Sequence, residues 1–550
     1  MGRIDDIANR YVDDWAALDP IGATHAGVIG HDAEMTDLTR DGYAARADLN
    51  RRTLAELSTV TPETDAERAA RAAMQERLGL EVELHEAGED HDLNVIASPV
   101  HSLRESFDLM PTEGTEAAEN LASRLERLPA AISQYTETLR ADAAAGRIAA
   151  RRQLVACVEH FGKWTGDEDF FGGLASRVTA DGALGQRVAA AAAAARSAYA
   201  DFTAFVSDEL LPAAPTRDAV GLERYQRASR YFLGATVDLE ETYQWGWEEL
   251  ARIEADMRAT AQAIVPGASV EEVAAALNED PKYTIGSKEE FRDWMQALAD
   301  ETIANLHGTH FDIPEPIRRI EACIAPTSSG IIYYTGPSED FSRPGRMWWA
   351  VPSNVGTFAT WREVTTVYHE GVPGHHLQVG QTTYRADLLN RWQRMLCWVS
   401  GSGEGWALYA ERLMDDLGYL SDPAARLGML DGQGFRAARV IVDIGMHLEL
   451  PIPAGTGFHE GERWTPELGL EFLRAHCHMD DETIRFEHLR YLGWPGQAPA
   501  YKVGERIWLA ARDEAKRRKG ADFDLKRFHT AALNLGSIGL DPLRESLARI

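Results

Sequence analysis

The chain has 550 residues, of which 45% are hydrophobic and 26% are charged, an ordinary composition for a globular protein. A chain of this length buries a large core without disulfides or metal ions, so any metal-ligand pattern in it needs a chemical reason. Its 86 acidic and 56 basic residues give a net charge of −30. Such a surface repels phosphates and anionic lipid heads, and we therefore expect no nucleic-acid partner and no membrane partner.

The amino-terminal residues predict neither a signal peptide nor a membrane helix. Asp5 and Asp6 stand where a signal peptide needs a basic region followed by an apolar run. No stretch approaches the roughly 18 apolar residues that a transmembrane helix needs. The four cysteines are far apart and form no C-x-x-C motif, which predicts reduced, mostly buried thiols. The sequence predicts a cytoplasmic protein of open oligomeric state.

Residues 1–210 are predicted to form successive helices, because their Ala-rich runs place apolar residues three to four positions apart. The Ala run 189–195 lies inside this pattern and predicts close helix packing. Pro212 and Pro215 end the block, and a second helical block is expected from about Gly221. The predicted domains are an N-terminal helical half, residues 1–220, and a catalytic helical half, residues 221–550, with the small sheet and the metal site.

The pattern changes from about residue 311. The β-branched and aromatic runs Ile331–Tyr334 and Met347–Val351 lie between Gly, Pro, Ser and Asp and predict two short strands. Further helices are predicted at about 402–416, 426–449, 466–477, 480–492 and 500–518. No fixed-period repeat is present. The predicted fold is mainly α with a small mid-chain β-sheet.

The segment His369-Glu370-Gly-Val-Pro-Gly-His375-His376 carries the most chemical information. In the zincin motif H-E-x-x-H, two histidines one helical turn apart bind zinc. Pro373 occupies the position of the second histidine, so the standard motif is absent. On an unbroken helix His376 would lie about 10 Å along the axis from His369, too far for both to bind one ion at about 2.0–2.1 Å.

Pro373 and Gly374 predict an interruption of that helix. Proline has no N–H for the carbonyl of His369 and its ring clashes with that carbonyl, while glycine permits backbone angles closed to other residues. The interruption would bring His369 close to the following pair of histidines. We favour His375 as the second metal ligand, with His376 as the alternative.

Glu404, in the glycine-rich segment SGSGEGWALYAERL, is the predicted third ligand. Two histidines and one carboxylate leave the fourth position of a zinc ion open, as catalytic zinc requires. We therefore predict one bound Zn²⁺, although another divalent metal would also suit these ligands. Glu411 lies two turns beyond Glu404 on the same helix face and is predicted to support a ligand.

Six stretches of the chain resemble the family known as domain of unknown function 885, whose members are treated as zinc metallopeptidases related to the helical zincins. These stretches are DPIGATHAGV (19–28), YYTGPSEDFSRPG (333–345), YHEGVPGHHLQ (368–378), SGEGWALYAERL (402–413), FRAARVIVDIGMH (435–447) and WPGQAPAYKVG (494–504). The resemblance implies one continuous domain over the whole chain, with a large multi-helix, peptidase-like fold and a deep cleft. It also implies that His369, Glu370, His375 and Glu404 form the active site.

Further candidate residues follow the motif. Asp443 and His447 are four apart on a predicted helix and can touch; His447 either donates to a substrate carbonyl or forms a buried structural pair. Tyr501 is predicted to stabilise a tetrahedral oxyanion. Arg490 or Lys502 is predicted to bind a substrate carboxylate.

The predicted function is zinc-dependent hydrolysis of peptide bonds in short peptides, of the exopeptidase or oligopeptidase type. Metal-activated water would attack the carbonyl, with Glu370 as the general base. The edge of the Met347–Val351 strand is a candidate for binding the substrate backbone by strand addition. Two alternatives stay open: a metal-dependent hydrolase of a non-peptide amide or ester, and a non-catalytic, metal-stabilised peptide-binding protein.

Overall fold

Helices form most of the chain, as the amphipathic and Ala-rich patterns predict. The computed structural model describes residues 2–325, 332–351 and 355–549. The α-helices are α1 (Arg3–Leu18), α2 (Pro20–Ala26), α3 (Arg40–Ser58), α4 (Asp65–Ala87), α5 (Pro99–Leu109), α6 (Thr115–Ala144), α7 (Arg151–Thr165), α8 (Phe170–Arg177), α9 (Gly182–Phe205), α10 (Leu222–Leu233), α11 (Leu239–Ile264), α12 (Val270–Glu279), α13 (Lys288–Leu306), α14 (Thr360–Glu370), α15 (His375–Tyr384), α16 (Arg391–Met395), α17 (Ser400–Asp416), α18 (Pro423–Leu448), α19 (Pro466–His476), α20 (Asp481–Gly493), α21 (Ala500–Lys519), α22 (Leu525–Leu533) and α23 (Leu540–Leu547). Short 3₁₀ or π turns span Val206–Leu210, Leu211–Ala213, Glu315–Arg318 and Gly520–Asp522.

The chain forms two compact units. Unit 1 comprises Met1–Thr61, Arg77–Gly221 and Phe486–Pro495, and unit 2 comprises Pro62–Glu76, Leu222–Arg485 and Gly496–Ile550. The division predicted at residue 220 remains a prediction, since these units are sets of mutually packed residues rather than parts shown to fold alone.

Close helix packing in unit 1 follows from the Ala run, as predicted. On α9 the residues Ala191, Ala192 and Ala195 are buried, and they continue into the buried aromatic residues Tyr199 and Phe202. These positions share one helix face because they are three to four residues apart. Small side chains there let α9 pack along α6, whose buried face contributes to the same core.

A three-stranded sheet in unit 2 contains both predicted strands and one that the sequence analysis missed. The strands are β1 (Thr284–Ile285), β2 (Ile320–Ile324), β3 (Ile332–Thr335), β4 (Gly345–Trp349) and β5 (Phe358–Ala359). The sheet has the order β2-β4-β3, with β2 parallel and β3 antiparallel to β4, and β1 pairs separately with β5. Ile331, placed in the first predicted strand, lies outside the described residues.

The sheet order corrects the proposed mode of substrate binding. Strand β4 covers most of the predicted Met347–Val351 strand, and it is central, with β2 on one side and β3 on the other. Both rows of its backbone hydrogen-bonding groups are therefore used within the sheet. Strand addition needs an exposed edge, so β4 cannot bind a substrate in this way.

The HEGVPGHH segment joins α14 to α15, and both of these helices pack on α17. Helix α14 packs on α17 and α18, and α17 packs on α21. Trp406 on α17 and Trp508 on α21 are fully buried with ring centroids 5.1 Å apart. A buried aromatic pair of this kind fixes two helices strongly, because each ring removes a large apolar area from water. The four cysteines are reduced thiols and three of them are buried, as predicted. Within the described ranges, every helix is too short or too polar to cross a bilayer.

Candidate metal centre

The predicted interruption lies directly after Glu370. Helix α14 ends at this residue, and α15 begins at His375, so the His-Glu pair and the His pair lie on two separate helices. The Val372–Pro373 peptide bond is cis. The carbonyl of Pro373 accepts a hydrogen bond of 2.9 Å from Trp406 Nε1, so the helix that carries Glu404 also holds this loop.

Gly374 is required by the backbone approach within the loop. Its N–H donates to the carbonyl of Tyr368 at 3.0 Å. A β-carbon at this position would lie only 1.9 Å from the carbonyl oxygen of His369 and 2.5 Å from that of Tyr368. Any side chain here would collide with fixed backbone atoms, so glycine is what allows the chain to turn back at the end of α14.

His369 is oriented by a buried carboxylate. Its Nδ1–H donates to Glu411 Oε1 at 2.7 Å, and the other oxygen of Glu411 accepts from the hydroxyl of Thr365. This arrangement leaves Nε2 with its lone pair for a metal ion. Burial lowers the pKa of His369, but the hydrogen bonds that the ring donates to Glu404 and Glu411 outweigh burial and raise it to about 10, so a metal ion would bind Nε2 by displacing its proton. The predicted supporting role of Glu411 thus has the geometry it needs.

His369, His375 and Glu404 converge. One ligand atom from each lies within 4.8 Å of the others. Glu404 Oε2 is 3.5 Å from His369 Nε2 and 3.3 Å from His375 Nε2. Burial raises the pKa of Glu404, but the charge of His375 and bonds from both histidines lower it well below its usual range.

The donor set fits a tetrahedral zinc ion. Ligand atoms about 2.0–2.2 Å from such an ion lie about 3.3–3.5 Å from one another, which agrees with the two distances from Glu404 Oε2. Two imidazole nitrogens with one carboxylate oxygen are also ligands that zinc prefers. The chemistry of the three side chains and the two distances from Glu404 therefore suit one zinc ion with a fourth position open, while the two histidine nitrogens are placed only within 4.8 Å of each other.

His376 is occupied elsewhere. Its Nε2–H donates to the carbonyl of Ile317 at 2.7 Å, and its Nδ1 accepts from the hydroxyl of Tyr334 at 2.9 Å. Burial lowers the pKa of His376 to about 4, so the ring is neutral near pH 7. With both nitrogens in hydrogen bonds, His376 has no lone pair for a metal, and the geometry favours His375 as the ligand.

Glu370 is buried beside the three converging side chains. Its Oε2 has no hydrogen-bond partner among the residues that the structure describes. Burial raises the pKa of Glu370; the charges of His375, His369 and Arg436 oppose the rise, and that of Glu404 adds to it. A buried carboxylate oxygen without a partner is costly, and such groups are common at catalytic sites.

Lys502 is not available to a substrate. It is 1% exposed, and its ammonium group donates to Gln433 and Glu505 and lies 3.0 Å from Glu249. These three partners use its three N–H groups. The geometry therefore disfavours the substrate-binding role predicted for Lys502, because the ammonium group stabilises a buried ion-pair network.

The other candidate residues lie in three different settings. Arg490 belongs to unit 1 and forms two hydrogen bonds with Glu487, of 3.2 and 2.6 Å. The Tyr501 ring lies beneath the guanidinium of Arg439, 4.7 Å from the ring centroid. The roles of Arg490 and Tyr501 stay predictions. His447 is fully buried.

His447 and Asp443 form a pair with no exposed surface. His447 Nε2 is 4.0 Å from Asp443 Oδ1, and Asp443 Oδ2 accepts from the hydroxyl of Tyr225 at 2.6 Å and the N–H of Gly496 at 2.8 Å. A side chain without exposed surface cannot touch a substrate in this conformation. Of the two roles predicted for His447, the geometry favours the buried structural pair over the catalytic one.

Three side chains near the centre were missed. Tyr334 on β3 bonds His376 and stacks on His375, with ring centroids 6.5 Å apart. Trp398 is 48% exposed, and its ring centroid lies 5.9 Å from that of His375. Arg436 is close enough to influence Glu370. Tyr334 and Arg436 lie within stretches that carry the family resemblance, but nothing in their spacing distinguishes them from their neighbours.

The sequence profile described as "Bacterial protein of unknown function (DUF885)" matches residues 20–547. The chain belongs to the DUF885 family. No curated protein matches this DUF885 chain significantly.

Two solved structures share the fold of this DUF885 protein. "The putative lipoprotein from Colwellia psychrerythraea" is 22% identical, with a TM-score of 0.86, over 100% of this chain and 98% of that chain. "A putative lipoprotein of unknown function from Shewanella oneidensis" is 16% identical, with a TM-score of 0.76, over 99% of each chain. At these identities the likeness shows the fold alone.

The names of these neighbours contradict the cytoplasmic location predicted from the sequence. Each is named a "putative lipoprotein", and lipoproteins are held at membranes by covalently attached acyl chains. Such an anchor does not require a long apolar helix. A sequence without a long apolar run therefore does not establish a cytoplasmic location, and the prediction of that location was wrong.

Proposed function

We propose that this DUF885 protein is a zinc-dependent hydrolase that cleaves peptide bonds of short peptides. One observation carries the proposal: His369, His375 and Glu404 converge beside the buried Glu370 carboxylate, and the two distances from Glu404 to the histidines suit zinc. Metal binding alone would explain the three ligands. The adjacent carboxylate oxygen without a partner among the described residues is what favours catalysis.

Zinc, when bound, lowers the pKa of water toward about 7 and polarises a carbonyl oxygen. Glu370 Oε2 is the group that we propose accepts the proton of the attacking water and returns it to the leaving amine. Glu411 fixes the tautomer of His369 through the 2.7 Å bond to Nδ1, so that Nε2 faces Glu404. Burial of these groups strengthens each interaction, because little water is present to screen them.

Trp398 is the proposed contact for a substrate side chain. Its indole is exposed although it lies next to a buried metal ligand. Exposed aromatic rings beside a site offer a large, rigid apolar surface, which suits a peptide better than a small polar amide. This observation favours the peptide hydrolase over the non-peptide alternative.

Elemental analysis of the purified protein, followed by incubation with a mixed peptide library and a panel of small amides and esters, tests the proposal. We expect one zinc per chain, product only from the peptides, and loss of activity on chelation. Glu370→Gln should retain zinc and lose turnover by about 10²–10⁴-fold. Glu248→Gln, an exposed position on α11, is the matched control and should behave as the wild type.

Two results would contradict the proposal. Near-normal turnover in zinc-loaded Glu370→Gln would remove the base from the mechanism. Tight peptide binding without any product in the zinc-loaded wild type would instead support a peptide-binding protein.

A further inference from the structure

Arg436 on α18 has an unusual environment for a charged side chain in this acidic chain. It is half-buried, and its Nη1 donates to the backbone carbonyl of Gly432 at 3.2 Å. Within the described ranges, no ion pair joins its guanidinium to a carboxylate, and Nε is buried without a hydrogen-bond partner. Partly buried arginines normally pair with a carboxylate or phosphate through their planar fork. The guanidinium of Arg436 therefore has N–H groups that form no hydrogen bond with the described residues.

The guanidinium lies close to the metal centre. A β-carbon built on Gly432 would be 3.0 Å from Arg436 Nη1 and 4.0 Å from Glu411 Oε2. The separation of Arg436 Nη1 from Glu411 Oε2 is therefore no greater than the sum of these two distances. Glu411 in turn bonds the ligand His369. Burial raises the pKa of Glu370, and the charge of Arg436 is among those that oppose the rise. Arg436 is thus near the base and near the carboxylate that supports a ligand, yet it forms an ion pair with neither.

Three other cations of unit 2 are already engaged by acidic or polar partners. Lys502 is fully engaged by buried acceptors, and Arg426 on the same helix bonds Asp415 at 3.3 Å and Thr260 at 2.7 Å. Arg362 lies 3.6 Å from Asp431. Arg436 therefore stands out as a cation beside the centre whose strongest interaction is with a neutral backbone oxygen.

We propose that Arg436 binds a carboxylate of the substrate, an inference that rests on the proposed peptide hydrolase function. The guanidinium fork matches a carboxylate, which could be the carboxyl terminus of a short peptide or an acidic side chain. A terminal carboxylate held here would place a nearby peptide bond at the centre, which is the arrangement that a carboxyl-terminal exopeptidase needs. Arg436 then replaces Lys502 as the anion-binding residue of the site.

Binding to zinc-loaded Glu370→Gln protein tests the inference without requiring turnover. Three matched probes are titrated by calorimetry: an alanine tetrapeptide acid, its carboxyl-terminal amide, and an amide of the same length with one internal Glu. We expect the acid to bind about 10- to 100-fold more tightly than the amide, as charge-assisted bidentate bonds imply. If the Glu-containing amide binds as tightly as the acid, the site accepts a carboxylate from the terminus or from a side chain; if it binds only as the plain amide does, the carboxylate must be terminal.

The same titrations with Arg436→Met and Arg436→Lys, each in the Glu370→Gln background, locate the effect. Methionine should abolish the preference for carboxylates, and lysine should restore only part of it, since it keeps the charge but not the fork. Arg426→Met is the matched control on α18 and should keep the full preference. Thermal unfolding verifies that each variant is folded. If Arg436→Met does not fold, Arg436→Lys alone tests whether the carboxylate preference depends on the guanidinium.

Two results would overturn the inference: equal affinity for all three probes, or a carboxylate preference that survives in both Arg436 variants. These results are distinguishable from failure of the proposed function. If the wild type cleaves no peptide, the hydrolase proposal fails, whereas the binding data still decide whether Arg436 recognises carboxylates.

Discussion

Glu411→Gln tests how much the buried carboxylate behind His369 contributes to metal binding. The glutamate side chain is 2% exposed, with Oε1 bonded to His369 Nδ1–H at 2.7 Å and Oε2 accepting from Thr365. Glutamine has the same shape. Its oxygen can still accept from Nδ1–H, and its amide can donate to the Thr365 hydroxyl. The substitution therefore removes the charge and keeps both contacts.

The expected magnitude follows from the type of hydrogen bond that is lost. Bonds to charged groups contribute about 1.5–3 kcal/mol and neutral ones about 0.5–1.5 kcal/mol, so the difference is about 1–1.5 kcal/mol. Since about 1.4 kcal/mol is a tenfold change in an equilibrium constant, zinc should bind about tenfold more weakly. This lies at the lower end of the 10- to 100-fold losses typical when a partner of a metal-bound histidine is changed.

Competition with a chromogenic chelator at fixed pH measures the zinc Kd of each variant. His375→Ala, which removes a proposed ligand, should weaken binding far more than Glu411→Gln. Thr365→Val leaves the charge of Glu411 in place and should have a smaller effect than either. A zinc Kd for Glu411→Gln within twofold of the wild type would refute the argument that this carboxylate tunes His369.

Three further predictions concern single positions. Gly374→Ala places a β-carbon 1.9 Å from the carbonyl oxygen of His369, so we expect a lower thermal midpoint and weaker zinc binding; unchanged zinc affinity would contradict this. Trp398→Ala should lower kcat/KM for peptides with large apolar side chains about three- to tenfold relative to alanine peptides, and an unchanged ratio would remove Trp398 from the site. Burial lowers the pKa of His529 to about 3, so the unfolded chain binds more protons than the folded chain between about pH 3 and 6.5, and stability falls as the pH falls through this range. His529→Gln should reduce the slope of unfolding free energy against pH by up to about 1.4 kcal/mol per unit, measured in denaturant titrations; equal slopes would show that His529 is not the group responsible.

Features determined within one helix were predictable from the sequence. The helices from α17 to α21 begin and end within about three residues of their predicted positions, because amphipathic spacing and capping residues act locally. Asp422 and Pro423, for example, define the start of α18 three residues before the predicted one. The interruption at Pro373 and Gly374 was also predictable, since the lost N–H and the ring clash are properties of proline itself.

Sheet order was not predictable, because strand pairing depends on residues far apart in sequence. Strand β2 pairs with β4 across a register from Ile320↔Gly345 to Ile324↔Trp349, and its five residues carry no alternation strong enough to distinguish a strand from a loop. Without β2, β4 looked like an edge strand. The proposed strand addition was wrong for this reason.

The choice between His375 and His376 also depended on distant residues. Ile317 and Tyr334 bond the two nitrogens of His376 from 59 and 42 positions away, and no local pattern foretells such partners. Lys502 illustrates the same limit. Its position near a Pro-Gly turn suggested an available cation, whereas the tertiary structure surrounds it with acceptors from α11, α18 and α21.

The charges around the centre connect the proposed metal with the proposed role of Arg436. Glu370, Glu404 and Glu411 are three carboxyl groups gathered around two histidines, largely out of contact with water. Buried charges are stable only when they are paired. One divalent ion and Arg436 supply three positive charges, which would match three ionised carboxylates. In this arrangement of charges, Glu404 would bind the metal directly and Glu411 would act on it through His369. Arg436 has no direct acidic partner among the described residues. A substrate carboxylate could therefore reach the guanidinium without first breaking an ion pair, and this is why binding data for carboxylate probes, rather than zinc content, decide its role.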